Sequence, residues 1–257
     1  VSYLSFLTVF IVFPLCLLFL NLYRGDFKFK NRYLAGALLM SVTALIYTTP
    51  WDNFLVANKV WWYGPDRVLA TIGYVPVEEY LFFILQSWFT TALFCKLAQL
   101  FPIKTSEAFQ VTRFLSYKSL AVFVLVFVWL ASVFGLYFYK SFYISLILSW
   151  SLPVIIFQIY TGGEQLVHNI RLYLLTFTIS SLYLCSVDAL AIYEGIWTIS
   201  PDLTSGWHLG VLPIEEAVFF MVTNVMVIQG VMLFIIGDDL KIPYLKTRSF
   251  FEWIDNI

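Results

Sequence analysis

Two short segments of this 257-residue chain place adjacent glutamates behind a proline: Gly73-x-x-Pro76-Val77-Glu78-Glu79 and Gly210-x-x-Pro213-Ile214-Glu215-Glu216. Paired carboxyls suit proton transfer, because two acids crowded into a water-poor site resist ionising together. One member can then stay protonated and act as an acid while another accepts a proton. Proline near the first helical position is well tolerated, since its missing N–H would be unpaired there anyway. Each pair is therefore expected in the first turn of a helix, where the dipole favours negative charge by about 0.3–1 kcal/mol. That pull opposes the protonated form, and sequence does not set the balance. An acidic helix start at a water interface is the plain structural account of the motif. Against it stand the duplication, the lack of the Ser/Thr N-cap that a capping box requires, and the Phe-Phe that follows each pair.

Helical spacing separates the two members of each pair. Steps of four, seven, eight and eleven from Glu79 reach Phe83, Gln86, Ser87 and Thr90; from Glu216 they reach Phe220, Thr223, Asn224 and Val227. Glu78 and Glu215 head more apolar stripes that include Phe82 and Phe219. Polar side chains inside a bilayer face the bundle interior, so Glu79 and Glu216 are expected to point into a central cavity. Asp52 and Asp188, expected at the outer ends of the second and sixth helices, are further acids or hydrogen-bond partners, or ordinary interfacial aspartates. Trp61, Trp62, Tyr63, Tyr74, Trp197 and Trp207 read either as an interfacial aromatic belt or as cavity walls. In the second case aromatic faces stabilise a transient cation by up to about 2 kcal/mol each when desolvated.

Missing motifs narrow the chemistry. There is no G-x-G-x-x-G for a dinucleotide, and two histidines, His168 and His208, are too few for a His-rich di-iron site. Asp238-Asp239 is followed by Leu-Lys-Ile, not by the spacing of a diphosphate-binding Asp-rich motif. The last apolar segment contains no lysine to hold retinal. Cys16, Cys95 and Cys185 each sit alone in an apolar run, without metal-ligand or disulfide spacing. No metal or cofactor is expected, and a net charge of −1 gives no sign of nucleic-acid binding.

The elements that position these residues must sit in lipid. The chain is 61% hydrophobic and 12% charged, too little polar surface to cover a water-soluble domain of this size. Apolar runs near 2–23, 33–49, 77–100, 119–139, 142–160, 171–193 and 214–236 suit the roughly 20 residues that span a bilayer. The first lacks the basic flank and small-residue site of a cleaved signal and is read as a retained helix. With the N-terminus outside, Arg24, Lys28, Lys30, Arg32, Lys96, Lys104, Arg113, Lys118, Arg171, Lys241, Lys246 and Arg248 fall inside. Lys59, Arg67 and Lys140 fall outside, a split of 12 against 3. The expectation is an all-α integral membrane protein with seven transmembrane helices, N-out and C-in, in the plasma membrane.

The chain also repeats itself. Asp52, Trp61, Pro65 and Asp66 recur as Asp188, Trp197, Pro201 and Asp202, offset by 136; Gly73, Pro76, Glu78, Glu79, Phe82 and Phe83 recur 137 residues on. The reading is two parallel three-helix repeats, 1–101 and 141–257, joined through a fourth helix in 102–140 that restores the orientation. Both motif-bearing loops, 50–75 and 194–212, then lie at the outer face.

At these motifs the chain resembles the lycopene cyclases of the membrane-embedded heterodimeric or fused type. Ile72-Gly-Tyr-Val-Pro-Val-Glu-Glu-Tyr-Leu-Phe-Phe-Ile84 and Leu212-Pro-Ile-Glu-Glu-Ala-Val-Phe-Phe-Met221, with Thr223-Asn224, match the family's two signatures. The resemblance implies redox-neutral acid/base cyclisation of the ends of lycopene through a carbocation, giving β-rings. Its catalytic candidates are Glu78, Glu79, Glu215 and Glu216. Asp52, Asp188, Trp61, Trp62, Trp197, Phe82, Phe83, Phe219, Phe220 and Asn224 are expected to support or bind substrate. Expected partners are a lipophilic polyene, the bilayer and other carotenoid-pathway enzymes. The alternatives are a transporter with proton- or cation-coupling glutamates, and a hydratase of the same polyene end.

Overall fold

The computed structural model describes residues 1–23, 30–104 and 111–237. Arg24, Lys28, Lys241, Lys246 and Arg248 of the charge pattern, Asp238-Asp239, and the C-terminal tail lie outside these residues. Among the described residues, seven helices are long and apolar enough to cross a membrane. The first, α1, spans Tyr3–Leu22 and includes one wide π turn over Thr8–Val12. The others are α2 (Lys30–Ala57), α3 (Val77–Leu100), α4 (Val111–Gly135), α5 (Phe142–His168), α6 (Ile170–Tyr193) and α7 (Ile214–Ile236). Helices are the solution here because lipid offers no partners for free backbone groups, and a helix satisfies its own.

Three helices have boundaries that differ from expectation. Helix α2 continues eight residues past Thr49, straight through Pro50. The proline costs one backbone bond at an exposed edge, while continuing the helix buries Leu55 and Asp52. Asp52 therefore stands inside α2, more than a turn from its end, and the loop begins after Ala57, not at Pro50. Asp188 likewise lies within α6, not at its end. Helix α5 runs beyond Tyr160 to His168 across a kink at Gly162. Its extension buries Leu166, and Lys118 of α4 pairs with Glu164 at 3.0 Å, so the charge that reads as a helix end is neutralised. Helix α4 starts at Val111, before the expected 119, and stops at Gly135, short of 139.

Helices α3 and α7 are the most buried, and α4, packed on α5, the least. The polar stripes below the glutamates face each other across the α3–α7 contact. Gln86 Nε2 donates to Thr223 Oγ1 and Thr90 Oγ1 to Asn224 Oδ1, both at 2.8 Å. Asn224 Nδ2 reaches Ser181 of α6 at 3.1 Å.

Matching devices lead into α3 and α7. Strands β2 (Thr71–Ile72) and β3 (Val75–Pro76) form a tight hairpin, as do β5 (His208–Leu209) and β6 (Leu212–Pro213). Gly73 and Gly210 stand at the first turn residue with φ of +68° and +67°, a conformation that glycine adopts without penalty. Pro76 and Pro213 are the N-caps, one position earlier than expected, and both glutamates of each pair occupy the first turn. A third ribbon joins the two long loops: β1 (Trp61–Tyr63) pairs antiparallel with β4 (Trp197–Ile199), in the register Trp61 to Ile199 and Tyr63 to Trp197.

Candidate active site

Glu79 and Glu216 line one cavity of about 50 Å³ beneath the β1–β4 ribbon. Asp52 and Asp188 also border it, as do Trp61, Trp197, Phe82, Phe83, Phe219 and Phe220. The walls are otherwise aromatic and aliphatic, and no Lys, Arg or His is among the described residues that line it. The four carboxyls feel one another's charge: Asp52 that of Glu79 and Glu216, and Asp188 that of the same two. Four acids around so small a space, with no Lys, Arg or His among the described residues that line it, crowd like charge into one site.

Each inward glutamate is gripped by phenols. Glu79 Oε2 accepts from Tyr3 at 2.8 Å and from Tyr63 at 3.2 Å. Glu216 Oε1 accepts from Tyr143 at 2.6 Å. Both phenols at the helix starts are placed by the loops: Tyr3 N donates to Arg67 O at 2.8 Å, and Tyr143 N to Leu203 O at 3.1 Å. Burial, with the charges of Glu79 and Asp52 beside it, pushes the Tyr63 phenol well above its ordinary range. Tyr63 is therefore a neutral donor. Its counterpart 136 residues on is Ile199, which has no hydroxyl, so the two glutamates are not held alike.

The aspartates are less fully satisfied. Trp197 Nε1 donates to Asp188 Oδ1 at 3.0 Å, whereas Trp61 Nε1 donates to Tyr63 at 3.2 Å. Asp52 Oδ2 and Asp188 Oδ2 are buried without a hydrogen-bond partner, a costly state for a charged group.

Several expected residues stand elsewhere. Glu78 and Glu215 turn away from the cavity and accept from loop amides, Leu69 N at 2.8 Å and Ser205 N at 2.7 Å. Consecutive helical side chains point about 100° apart, so both members of a pair cannot share one wall. Trp62 faces outward from the ribbon and is 43% exposed. Asn224 lies two turns deeper, in the α3–α7 polar contact. Among the described residues there is no group of His, Cys, Asp and Glu placed to hold a metal.

Sequence reasoning missed Tyr3, Tyr143 and Trp51. Tyr3 and Tyr143 hold corresponding places at the starts of α1 and α5, but those helices share too few residue types to align by eye. Trp51 was hidden by the expectation that the helix ends at Pro50.

The lycopene cyclase family profile matches residues 3–97 and 152–234. A lycopene beta-cyclase of Halobacterium salinarum is 36% identical over 234 residues, covering 91% of this chain and 95% of that protein. Bifunctional lycopene cyclase/phytoene synthases are also similar. That of Sporisorium reilianum is 33% identical over 86% of this chain and 33% of its own length, and that of Phycomyces blakesleeanus 30% identical over 86% and 37%. No solved structure matches the chain. The profile spans more than half of the sequence and these relatives align along most of it, so the chain belongs to the lycopene cyclase family.

Proposed function

We propose that this protein is a lycopene beta-cyclase that uses Glu79 and Glu216 as its acid/base pair. The observation that carries the reading is their convergence, from two separate motifs, on one aromatic, water-poor cavity inside a membrane protein of this family.

In the proposed reaction a protonated carboxyl gives its proton to the terminal double bond of the acyclic end, leaving a tertiary carbocation. The neighbouring double bond supplies the electron pair that closes a six-membered ring and moves the positive charge onto a ring carbon. A carboxylate then removes a proton from the adjacent carbon, forming the ring double bond. One proton enters and one leaves, so the product is an isomer and no electrons are exchanged with a cofactor. The phenols of Tyr3, Tyr63 and Tyr143 hold one oxygen of each carboxyl and leave the other free for the substrate. Trp61 and Trp197 offer π-faces to the cation, and apolar walls keep out the water that would capture it. Asp52 and Asp188 join the shared proton pool.

The same reading takes 1–101 and 141–257 as parallel repeats, with 102–140 as their connection. It places the motif face outside, the N-terminus out and the C-terminus in, in a multi-pass protein of the plasma membrane. Lycopene supplied by other carotenoid-pathway enzymes would reach the site from the bilayer.

The test is expression in a lycopene-accumulating bacterium with pigment analysis. γ- or β-Carotene is expected from the native chain, and unchanged lycopene from Glu79→Gln and from Glu216→Gln at equal membrane abundance. A hydroxylated, uncyclised product would mean that water captures the cation. Full activity in both variants would overturn the acid/base assignment.

A further inference from the structure

The acid cavity is too small for the group it must bend. About 50 Å³ holds little more than a water molecule or two, whereas a cavity known to take up benzene measures about 150 Å³. A second cavity of about 170 Å³ lies directly below, between α2, α5 and α7. Phe83 and Phe219 line both cavities and form the partition between them.

The second cavity faces the bilayer. Helices α2 and α5 each pack closely on α7, while between α2 and α5 the contact is made by long side chains, and the cavity lies in that gap. Thr43 and Tyr47 of α2 border it and are themselves exposed on the lipid side. An aromatic wall of near-parallel rings runs from this opening toward the carboxyls. Tyr47 stacks on Trp150 (centroids 5.5 Å apart, planes at 22°), Trp150 on Trp51 (4.7 Å, 19°), and Trp51 on Phe219 (5.8 Å, 3°). Tyr47 is anchored by its hydroxyl to Trp150 O at 2.8 Å. From Glu216 to Val227, at the cavity's far end, α7 rises roughly 16 Å, about half the hydrocarbon thickness.

The opposite side of the bundle lacks this wall. Tyr183 stands 136 residues after Tyr47 and donates in the same way to Phe10 O, at 2.6 Å. There Phe10 and Val187 occupy the places of Trp150 and Trp51. Tyr183 there stacks on Phe89 (5.0 Å, 25°), and among the described residues the longer run of four rings belongs to one side only.

We infer that the cavity between α2, α5 and α7 holds the polyene tail of the substrate, beside Tyr47 and Trp150, and that an end group reaches the carboxyls by displacing Phe83 and Phe219. The inference rests on the reading of the protein as a lycopene cyclase and names where that substrate enters and lies. A planar conjugated chain suits a stacked aromatic wall, and a lateral opening lets it arrive from the bilayer without crossing water. With one such wall, the two ends of a molecule react in turn, the first ring leaving before the second end enters.

The test fills the cavity without touching the carboxyls. Ala44 lines it and is half-buried; Ala44→Phe is expected to slow cyclisation tenfold or more. Leu38→Phe, on the lipid face of the same helix, leaves it unchanged. Because a buried phenylalanine can unsettle the fold, Thr43→Trp, at an exposed position on the cavity rim, is run beside it with the same expectation. Binding is read separately: Glu79→Gln protein purified from lycopene-accumulating cells should carry lycopene, seen by its absorbance, and lose it when Ala44→Phe or Thr43→Trp is added. Retained pigment and undiminished rates in both filled variants would overturn the inference. Native protein that binds lycopene through this cavity but forms no ring would instead overturn the cyclase reading and leave the binding site standing.

Discussion

Removing one phenol at a time measures how each glutamate is held. The Tyr143 hydroxyl donates to Glu216 at 2.6 Å with both side chains buried, within the short range of charge-assisted O–H···O bonds. Hydrogen bonds of this kind contribute about 1.5–3 kcal/mol. Tyr143→Phe removes a single oxygen and keeps the ring that packs near Trp61 at 5.7 Å, so the fold should survive. If the bond is needed to aim the carboxyl in the transition state, its whole value appears in the rate, roughly a 10- to 150-fold fall. Tyr63→Phe is a weaker perturbation: its bond is 3.2 Å long, and Tyr3 still grips the same Glu79 oxygen at 2.8 Å. About 0.5–1 kcal/mol, roughly two- to fivefold, is expected there. Rates would be followed as loss of lycopene in membrane vesicles, normalised to protein, with thermal unfolding checked in parallel. A positioning role lowers kcat with little change in KM. Tyr143→Phe at the native rate, or Tyr63→Phe more damaging than Tyr143→Phe, would refute the reasoning.

Four further outcomes follow from the geometry. Glu78→Gln and Glu215→Gln keep an acceptor for the amides of Leu69 and Ser205 and should stay close to native activity. Glu78→Leu and Glu215→Leu strand those amides and should lower stability by about 1–3 kcal/mol in a denaturation series. A double-mutant cycle on Thr90→Val and Asn224→Leu should give a coupling near 0.6 kcal/mol and not above about 1.7 kcal/mol, the range for polar contacts between membrane helices. Cyclisation in D₂O should place one deuterium in each ring formed, because the donated proton comes from an exchangeable carboxyl; unlabelled product by mass spectrometry would exclude a solvent-exchanging acid.

Much of this was legible in the residues because lipid simplifies the problem. Apolar run length located seven helices, and helical spacing put Gln86 and Thr90 on an inward stripe below Glu79 and Thr223 and Asn224 on one below Glu216; the structure brings the two stripes against each other. Local rules failed where tertiary burial outweighed them. Pro50 is a fair stop signal by propensity, yet one lost backbone bond weighs less than burying Leu55 and seating Trp51 between Trp150 and Phe219. Thr161-Gly-Gly-Glu164 reads as a polar helix end, but a partner on α4 removes the cost of its charge. The phenols were invisible for a different reason. A tyrosine in an apolar segment resembles any interfacial tyrosine until its partner, 76 residues away for Tyr3 and 73 for Tyr143, is brought against it.

Why each motif needs two glutamates follows from the bonds they make. In the first half, Glu78 holds the amide of Leu69 and so fixes the loop. That loop presents Arg67 O to the amide of Tyr3 and carries Tyr63 on β1. Those two phenols in turn hold Glu79. In the second half Glu215 holds Ser205 N, the neighbouring Leu203 O seats Tyr143, and Tyr143 holds Glu216. The outer glutamate thus acts on the inner one through the loop and a phenol, a chain of hydrogen bonds that begins and ends on adjacent residues of one helix turn. Swapping the order of the pair's roles is not possible without turning the helix by about 100°, which would carry the Gln86 and Thr90 stripe off the α7 contact. The loop, the phenol and the polar stripe together select which carboxyl faces the cavity. The repeated Glu-Glu is accordingly one acid that holds its loop followed by one that faces the cavity.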